Sequence, residues 1–415
     1  MAKGEEKKKK GSWMMGFSVT VSAIVALVAI LFSMPFPELQ WDEFVVPNAI
    51  EYMEKVMGVV WDDSSSSISN NTASMVGNKQ QPLRGMYIVV TGATSGIGLG
   101  LTRKLCLLGA TVVAMGRSSS KLQQLQQEWP QNIETVLADF SDLDSIATAS
   151  QYMIERYDRL DILVNNAGIH PGFSDFSESK QGYDLTFAVN YLSHFLLTEK
   201  LMPVLKKSVY PKVVQIASGF HYAVDGSDLS THQGTRDPIA SQKGGSHGFL
   251  LFRGQRQYCN SKFAQLMHAR SLRQHHGIRA VSACPAWVGT QIGQKNGTLA
   301  HSFFEATAFP MEGYGLSSIL YAILDPKIET SEDDFYVNID FFHGMPNPFD
   351  WMPSWTYETI PIRDMIAASG AYSVAYILQR FWAIRGQGMA AKQSYDPSLQ
   401  EELYTWSRQA VAQWL

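Results

Sequence analysis

The sequence predicts an α/β fold, a doubly wound parallel sheet in a three-layer α/β/α sandwich, with an N-terminal transmembrane helix in front of it. Three observations carry this. Short β-rich apolar runs alternate with stretches of helical spacing from Tyr87 to Cys284. A glycine-rich turn joins the first of these runs to the first helix. Trp13 to Met34 carries no charge. Alternation at this interval argues for parallel strands joined by crossover helices.

At the N-terminus, Lys3 and Lys7 to Lys10 form a basic cluster, and Pro35 and Pro37 close the uncharged stretch. As a helix, Trp13–Met34 would run about 33 Å, enough for the hydrocarbon core. A cleaved signal peptide would have a shorter apolar region and a small-x-small site near Met34, which the sequence lacks. An uncleaved anchor is therefore expected, with Trp13 and Trp41 at the two interfaces. Glu38 to Trp61 is amphipathic and acidic, and Asp62 to Gln81, with its serine run, reads as a flexible linker. The expected division is a basic tail (1–12), anchor (13–34), amphipathic segment and linker (35–82), catalytic domain (83–340) and C-terminal extension with a closing helix (341–415).

Composition narrows the function. The net charge of −4 shows no basic excess, so nucleic acid is not an expected partner. Three cysteines are too few for a disulfide framework. The histidines are scattered, with no His-Glu-x-x-His and no Cys-x-x-Cys, so no metal site is expected.

Tyr87 to Val90 reads as a buried parallel strand. Thr91 and Gly92 follow it, then Gly96 and Gly98, and Ile97, Leu101, Leu105 and Leu108 fall at helical spacing, with Gly109 as C-cap. A glycine turn between strand and helix lets the backbone approach a pyrophosphate, which meets the free N–H groups of the helix. A tight packing turn would use the same glycines. Thr111 to Met115 is the second strand and ends at Gly116-Arg117. A carboxylate here would bind a ribose 2′-OH; an arginine accommodates a 2′-phosphate, so NADP(H) is the expected cofactor. The alternative is a solvated surface arginine.

Lys121 to Trp129 reads as a helix and Ile133 to Leu137 as the third strand, ending at Ala138-Asp139. Asp139 is placed to accept from an adenine amino group. Leu143 to Tyr157 is helical, and Leu160 to Val164 is the fourth strand, followed by Asn165-Asn166-Ala167-Gly168. Tyr183 to Leu205 is a long helix containing Asn190; Lys212 to Ala217 is the fifth strand, with Ser218 at its carboxyl end, where ligands of open sheets bind. Tyr258 and Lys262 lie four apart in a helical pattern running to His275, hence on one face. An ammonium beside a phenol favours the phenolate, and bringing a tyrosine from its usual pKa near 10 to neutrality takes about 4 kcal/mol. Ile278 to Cys284 is the sixth strand.

These elements, in this order, resemble the short-chain dehydrogenase/reductase family, whose nucleotide-binding half is Rossmann-like. Thr91-Gly-Ala-Thr-Ser-Gly-Ile-Gly98 is similar to its cofactor turn and Asn165-Asn-Ala-Gly168 to its structural motif. Asn190, Ser218, Tyr258 and Lys262 resemble its catalytic tetrad. Pro285-Ala-Trp-Val-Gly-Thr290 is similar to the segment beside the nicotinamide, with Ala286 in place of glycine. Within the family, Val189 to Thr198, Tyr258 to Ala264, Pro310 to Gly313 and the stretch from Asp396 to Ser407 resemble the membrane-associated, retinol-dehydrogenase-like group.

The resemblance implies an NADP(H)-dependent oxidoreductase acting between a lipophilic alcohol and its ketone or aldehyde. Tyr258 would be the acid/base, Ser218 would bond the substrate oxygen, and Lys262 would lower the tyrosine pKa and hold the nicotinamide ribose. Asn190 would position a water in the proton relay. Gly92, Thr94, Ser95, Gly96, Ile97, Gly98, Arg117, Asp139, Asn166, Ala167, Gly168, Pro285, Val288 and Thr290 would contact the cofactor together with Tyr258 and Lys262. It further implies membrane lipid as a partner through the anchor, the endoplasmic reticulum as location, and admits a homodimer. The lysines preceding the anchor put the N-terminus in the cytosol and the catalytic domain in the lumen, where the sequons at Asn70 and Asn296 would matter, yet many relatives face the cytosol. Both faces stay open.

There are departures. Tyr191 and Ser193 replace the usual His and Gly near Asn190. Gly219 to Gln257 is long for the segment between serine and tyrosine, and reads as a loop near the substrate mouth. Phe341 to Ser394 reads as an insertion with three tryptophans and an apolar stretch from Met365 to Leu378. A membrane-tethered nucleotide-binding scaffold that has lost turnover is the alternative these departures allow.

Overall fold

The central strands of the sheet are buried on both faces, because helices cover both. The protein is described from a computed structural model at residues 41–55, 59–61, 75–77, 79–170, 177–224, 226, 253–285, 288, 315–324, 335–337, 386–387 and 392–415. The anchor Trp13–Met34, both sequons, Thr290, residues 227–252 and most of 341–394 lie outside the described residues. Among the described residues no helix is long and apolar enough to cross a membrane.

The chain runs α1 (Trp41–Lys55), β1 (Val59–Trp61), β2 (Met75–Gly77), β3 (Tyr87–Thr91), α2 (Gly96–Leu107), β4 (Thr111–Gly116), α3 (Ser119–Glu128), β5 (Ile133–Leu137), α4 (Leu143–Arg156) and β6 (Ile162–Asn165). A helical run then passes from Leu185–Phe187 through a π turn at Ala188–Leu192 into α5 (Ser193–Leu205). After it come β7 (Lys212–Ile216), α6 (Arg253–His276), β8 (Arg279–Cys284), α7 (Ser317–Leu324), β9 (Phe335–Val337), β10 (Gly386–Gln387) and α8 (Pro397–Ala410).

The main sheet has the order β10-β9-β8-β7-β6-β3-β4-β5, parallel except for β10, which pairs antiparallel with β9. The six predicted strands are β3 to β8, within two residues at each end. From β3 the chain winds outward to β5 and then crosses to β6 on the other side of β3. That reversal opens a crevice at the carboxyl ends of β3 and β6. Period-2 alternation divides the strands between two cores. Val89, Val113, Leu163 and Val213 face α4, α5, α6 and α8. Ile88, Val90, Val112, Val164 and Val214 face α1, α2, α3 and α7.

Two parts the sequence set apart from the domain pack into it. Ala49, Tyr52 and Met53 of α1 are buried in the second core, and Lys212 Nζ stands 4.4 Å from the Tyr52 ring centroid. The amphipathic part of the segment 35–82 thus covers the sheet, and β1 and β2 form a small parallel pair at the two ends of the serine-rich stretch. On the other face Leu403, Tyr404 and Trp406 of α8 are buried. Both helices bury apolar stripes that their neighbours in sequence could not cover.

Candidate active site

At the carboxyl end of β3 the chain turns on glycines. Gly92 and Gly96 have φ of +67° and +52°, in the left-handed region that side chains rarely enter. A Cβ at Gly98 would lie 2.3 Å from the Gly92 carbonyl oxygen and 2.5 Å from Asn166 Nδ2. The turn therefore packs directly on the Asn165–Gly168 loop. Asn166 Nδ2 donates to the Thr91 carbonyl at 2.7 Å, and the backbone N–H groups of Asn166 and Ala167 both donate to Thr91 Oγ1 at 2.8 Å.

Asp142, Asp184 and Asp396 cap the helical segments that follow them, and Ser118 caps α3. Ser95 makes no such side-chain bond, so the first N–H groups of α2 are not occupied by their own N-cap. This is the donor set a pyrophosphate needs, with room for it because no side chain stands at Gly92, Gly96 or Gly98. The turn and helix fit the phosphates of a dinucleotide. Gly109, predicted as the C-cap, has φ +91° and closes α2 through its N–H to Cys106 O at 2.9 Å.

Arg117 is exposed at the end of β4, and Gly116 lies beneath the Thr94 side chain. Asp139 lies just beyond β5, with Oδ1 held by Ser141 N at 2.9 Å and Ser141 Oγ at 2.8 Å. Both residues stand at strand ends on the crevice side of the sheet. Pro285 follows β8 on the same edge, and Val288 is buried against Gly315.

Four residues meet across the crevice from these. Ser218, just beyond β7, is half-buried and lies near enough to the Tyr258 phenol to lower its pKa. Lys262 Nζ lies 5.6 Å from the Tyr258 ring centroid and donates to Ile216 O at 2.7 Å and to Gln265 Oε1 at 3.0 Å. Asn190 sits in the π turn, fully buried. Its Oδ1 accepts from Ile169 N at 2.8 Å, and its Nδ2 donates to Ile169 O and Ser261 Oγ. Ser261 in turn donates to Tyr258 O at 2.7 Å. The Asn190 side chain therefore joins the loop after Gly168 to the helix that carries Tyr258.

Burial sets the electrostatics. Desolvation raises the Tyr258 phenol above its ordinary value, against a smaller lowering by the Ser218 hydrogen bond, and pushes the Lys262 amine down to about 7. The sequence expectation that the lysine draws the phenol down is not what the protein groups do by themselves; loss of water dominates both. His170, whose ring centroid is 4.7 Å from that of Tyr258, is likewise pushed down to about 4 by burial. With Phe220 at 5.8 Å, it lines Tyr258 with aromatic surface.

Several contributors escaped the sequence. Thr91 Oγ1 accepts two N–H bonds, and its own proton is shared between His194 Nε2 at 2.9 Å and the Val164 carbonyl at 3.4 Å. His194 is then the Nδ1–H tautomer and donates to the Asn190 carbonyl at 3.0 Å. Gln265 Nε2 donates to the same carbonyl at 2.8 Å. The position of Asn190 in a helix with a neighbouring histidine was the only hint. The departures Tyr191 and Ser193 have packing partners: Tyr191 Oη meets Ser407 Oγ at 2.7 Å, and Ser193 Oγ donates to Phe140 O at 2.6 Å.

Comparison with known proteins agrees with this geometry. A model of the short chain dehydrogenase family matches residues 71–224. An uncharacterized oxidoreductase of Schizosaccharomyces pombe is 30% identical over 276 residues, covering 62% of this chain and 78% of that protein. Retinol dehydrogenase 12 of Homo sapiens is 30% identical over 219 residues, covering 51% of this chain and 64% of that protein. Retinol dehydrogenase 13 of Homo sapiens is 27% identical over 239 residues, or 55% and 66%. The chain belongs to the short-chain dehydrogenase/reductase family, oxidoreductases that bind nicotinamide cofactors. Within that family it falls in the retinol-dehydrogenase-like group.

Proposed function

We propose that the protein is an NADP(H)-dependent oxidoreductase that interconverts a lipophilic alcohol and its aldehyde or ketone, tethered to membrane through Trp13–Met34. The observation that carries this reading is that Tyr258 and Lys262 stand together on α6, with Lys262 bonded to the end of β7 and Ser218 just beyond that strand. A bound nicotinamide supplies or accepts the hydride. The protein's part is to bind, orient and move a proton. Tyr258 Oη gives its proton to the carbonyl oxygen, or takes one from the alcohol, and Ser218 Oγ holds that oxygen beside it. Lys262, with a pKa of about 7, exchanges a proton near neutrality and has N–H groups for a ribose hydroxyl. Burial of Tyr258 keeps the phenol protonated, which suits it to act as an acid toward a carbonyl.

Arg117 supports NADP(H), since the end of β4 offers a guanidinium and no carboxylate. A lipophilic substrate is supported by the aromatic surroundings of Tyr258 and by the names of the relatives. Retinoids, steroids and fatty-chain carbonyls all meet this description, and the test is a panel of them with the full chain in detergent, following NADPH oxidation. Tyr258→Phe keeps shape and removes the transferable proton. On any substrate the unmodified protein turns over, it should lower the rate about a hundredfold or more, with NADPH binding kept. Retention of the parent rate would remove Tyr258 from this role.

A further inference from the structure

The Asn190 carbonyl is a site where the protein departs from the relay that the resemblance implies. A carbonyl oxygen has two lone pairs. Here one accepts from Gln265 Nε2 at 2.8 Å and the other from His194 Nδ1 at 3.0 Å. The other end of the Gln265 amide accepts from Lys262 Nζ at 3.0 Å. Gln265 and Asn190 are essentially without solvent exposure, and Lys262 nearly so. One amide thus spans the gap between the carbonyl and the amine. A chain of hydrogen bonds runs from Thr91 at the glycine turn through His194, Asn190 and Gln265 to Lys262.

We propose that Gln265 is a positioning residue for Lys262: its amide occupies the place between the Asn190 carbonyl and the lysine, holds the charged amine by its oxygen, and closes the proton route through Asn190. An amide N–H donates but has no lone pair with which to receive a proton in exchange. The assignment builds on the reading of Lys262 given above.

The oxygen of Gln265 favours the ammonium over the free amine, because a hydrogen bond to the charged form stabilises that form. The other titratable groups around the pair are Tyr258 and Cys259 on the same helix, His194 on α5 and Cys284 at the end of β8. His194 is held neutral by burial, and Gln265 itself carries no charge.

The test is the titration of Lys262 in the full chain in detergent, labelled with ¹³C at lysine Cε, the signal being assigned by its loss in Lys262→Arg. Removing the oxygen with Gln265→Leu should move the midpoint down by about one pH unit, a tenfold change in the proton equilibrium. Gln265→Glu should move it up. Gln265→Met serves as the second apolar variant should the leucine fail to fold. A midpoint unchanged in both the apolar and the glutamate variants overturns the proposal. The titration needs no substrate, so absence of turnover in the unmodified protein would count against the dehydrogenase reading and leave this one to be decided by the midpoints.

Discussion

On the glycine-turn side of the crevice, backbone meets backbone: Gly92, Gly96 and Gly98 pack on Asn166 and Ala167 with no room for a Cβ at Gly98. On the Tyr258 side, the geometry is held by side chains from the π turn and α6, some 70 residues apart in sequence. The glycine-turn side, from Tyr87 to Gly168, contains no histidine. The Tyr258 side buries three, His194, His221 and His268, and half-buries His170. A site made of steric constraint and a site made of buried polar groups should fail under different stresses.

Acid should separate the two most strongly. Burial pushes His170 and His268 down to about 4 and His194 and His221 to about 3, against an ordinary value near 6.5. Between pH 6.5 and 4 the unfolded chain binds these protons and the folded chain does not, so stability falls as pH falls through that window. Each histidine contributes about 1.4 kcal/mol per pH unit there. Melting temperature should drop steeply from pH 6.5 toward 4. Amide exchange should rise in β7 and α6 before it rises in β3 and β4. A flat melting temperature across the window would show that these histidines are not held neutral.

Gly98→Ala attacks the other side. The new methyl meets a backbone oxygen, which cannot swing away as a flexible side chain would. A loss of about 3 kcal/mol in stability is expected, together with loss of nicotinamide binding, read by denaturant midpoint and by quenching of tryptophan fluorescence. Should Gly98→Ala bind NADPH normally, the turn is more pliable than its contacts indicate.

Arg117→Ala makes a smaller and more selective change on the same side. It removes a charged partner for a 2′-phosphate at an exposed position, where the net gain from such a bond is modest. NADPH affinity should fall roughly tenfold and NADH affinity stay as it was. Equal affinity for the two cofactors in the unmodified protein would sink the preference.

The same contrast explains what could be read from sequence. Strands β3 to β8 and the glycine turn are local patterns: apolar runs, glycines, helical spacing. They appear in the structure at their expected places. The elements that carry Asn190, Ser218, Tyr258 and Lys262 were also legible. Their supporting groups were not. Gln265 looks like any polar residue on a helix, and only the π turn at Ala188–Leu192 brings the Asn190 carbonyl to it. The docking of α1 and α8 was hidden for a related reason. An amphipathic stripe announces that it will be covered, but not by what.

The smallest expected effect tests whether the sequence departures near Asn190 belong to packing or to the site. Ser407 Oγ donates to Leu403 O at 2.7 Å, so the bond between Tyr191 and Ser407 is one in which the phenol donates. Both side chains are buried, and burial pushes the Tyr191 phenol up, which keeps that proton in place. Tyr191→Phe deletes the donor while the ring keeps its contacts with Phe187, Phe195 and His268. Ser407 keeps its own donor bond and loses only an incoming one. A cost of about 1 kcal/mol is expected, seen as a small fall in denaturant midpoint, because the hydroxyl ties α8 to the π turn and touches nothing in the crevice. Turnover and NADPH affinity should not change. If turnover falls while the midpoint holds, Tyr191 acts on the site through the π turn, and the division between a packing residue and a site residue at this point is wrong.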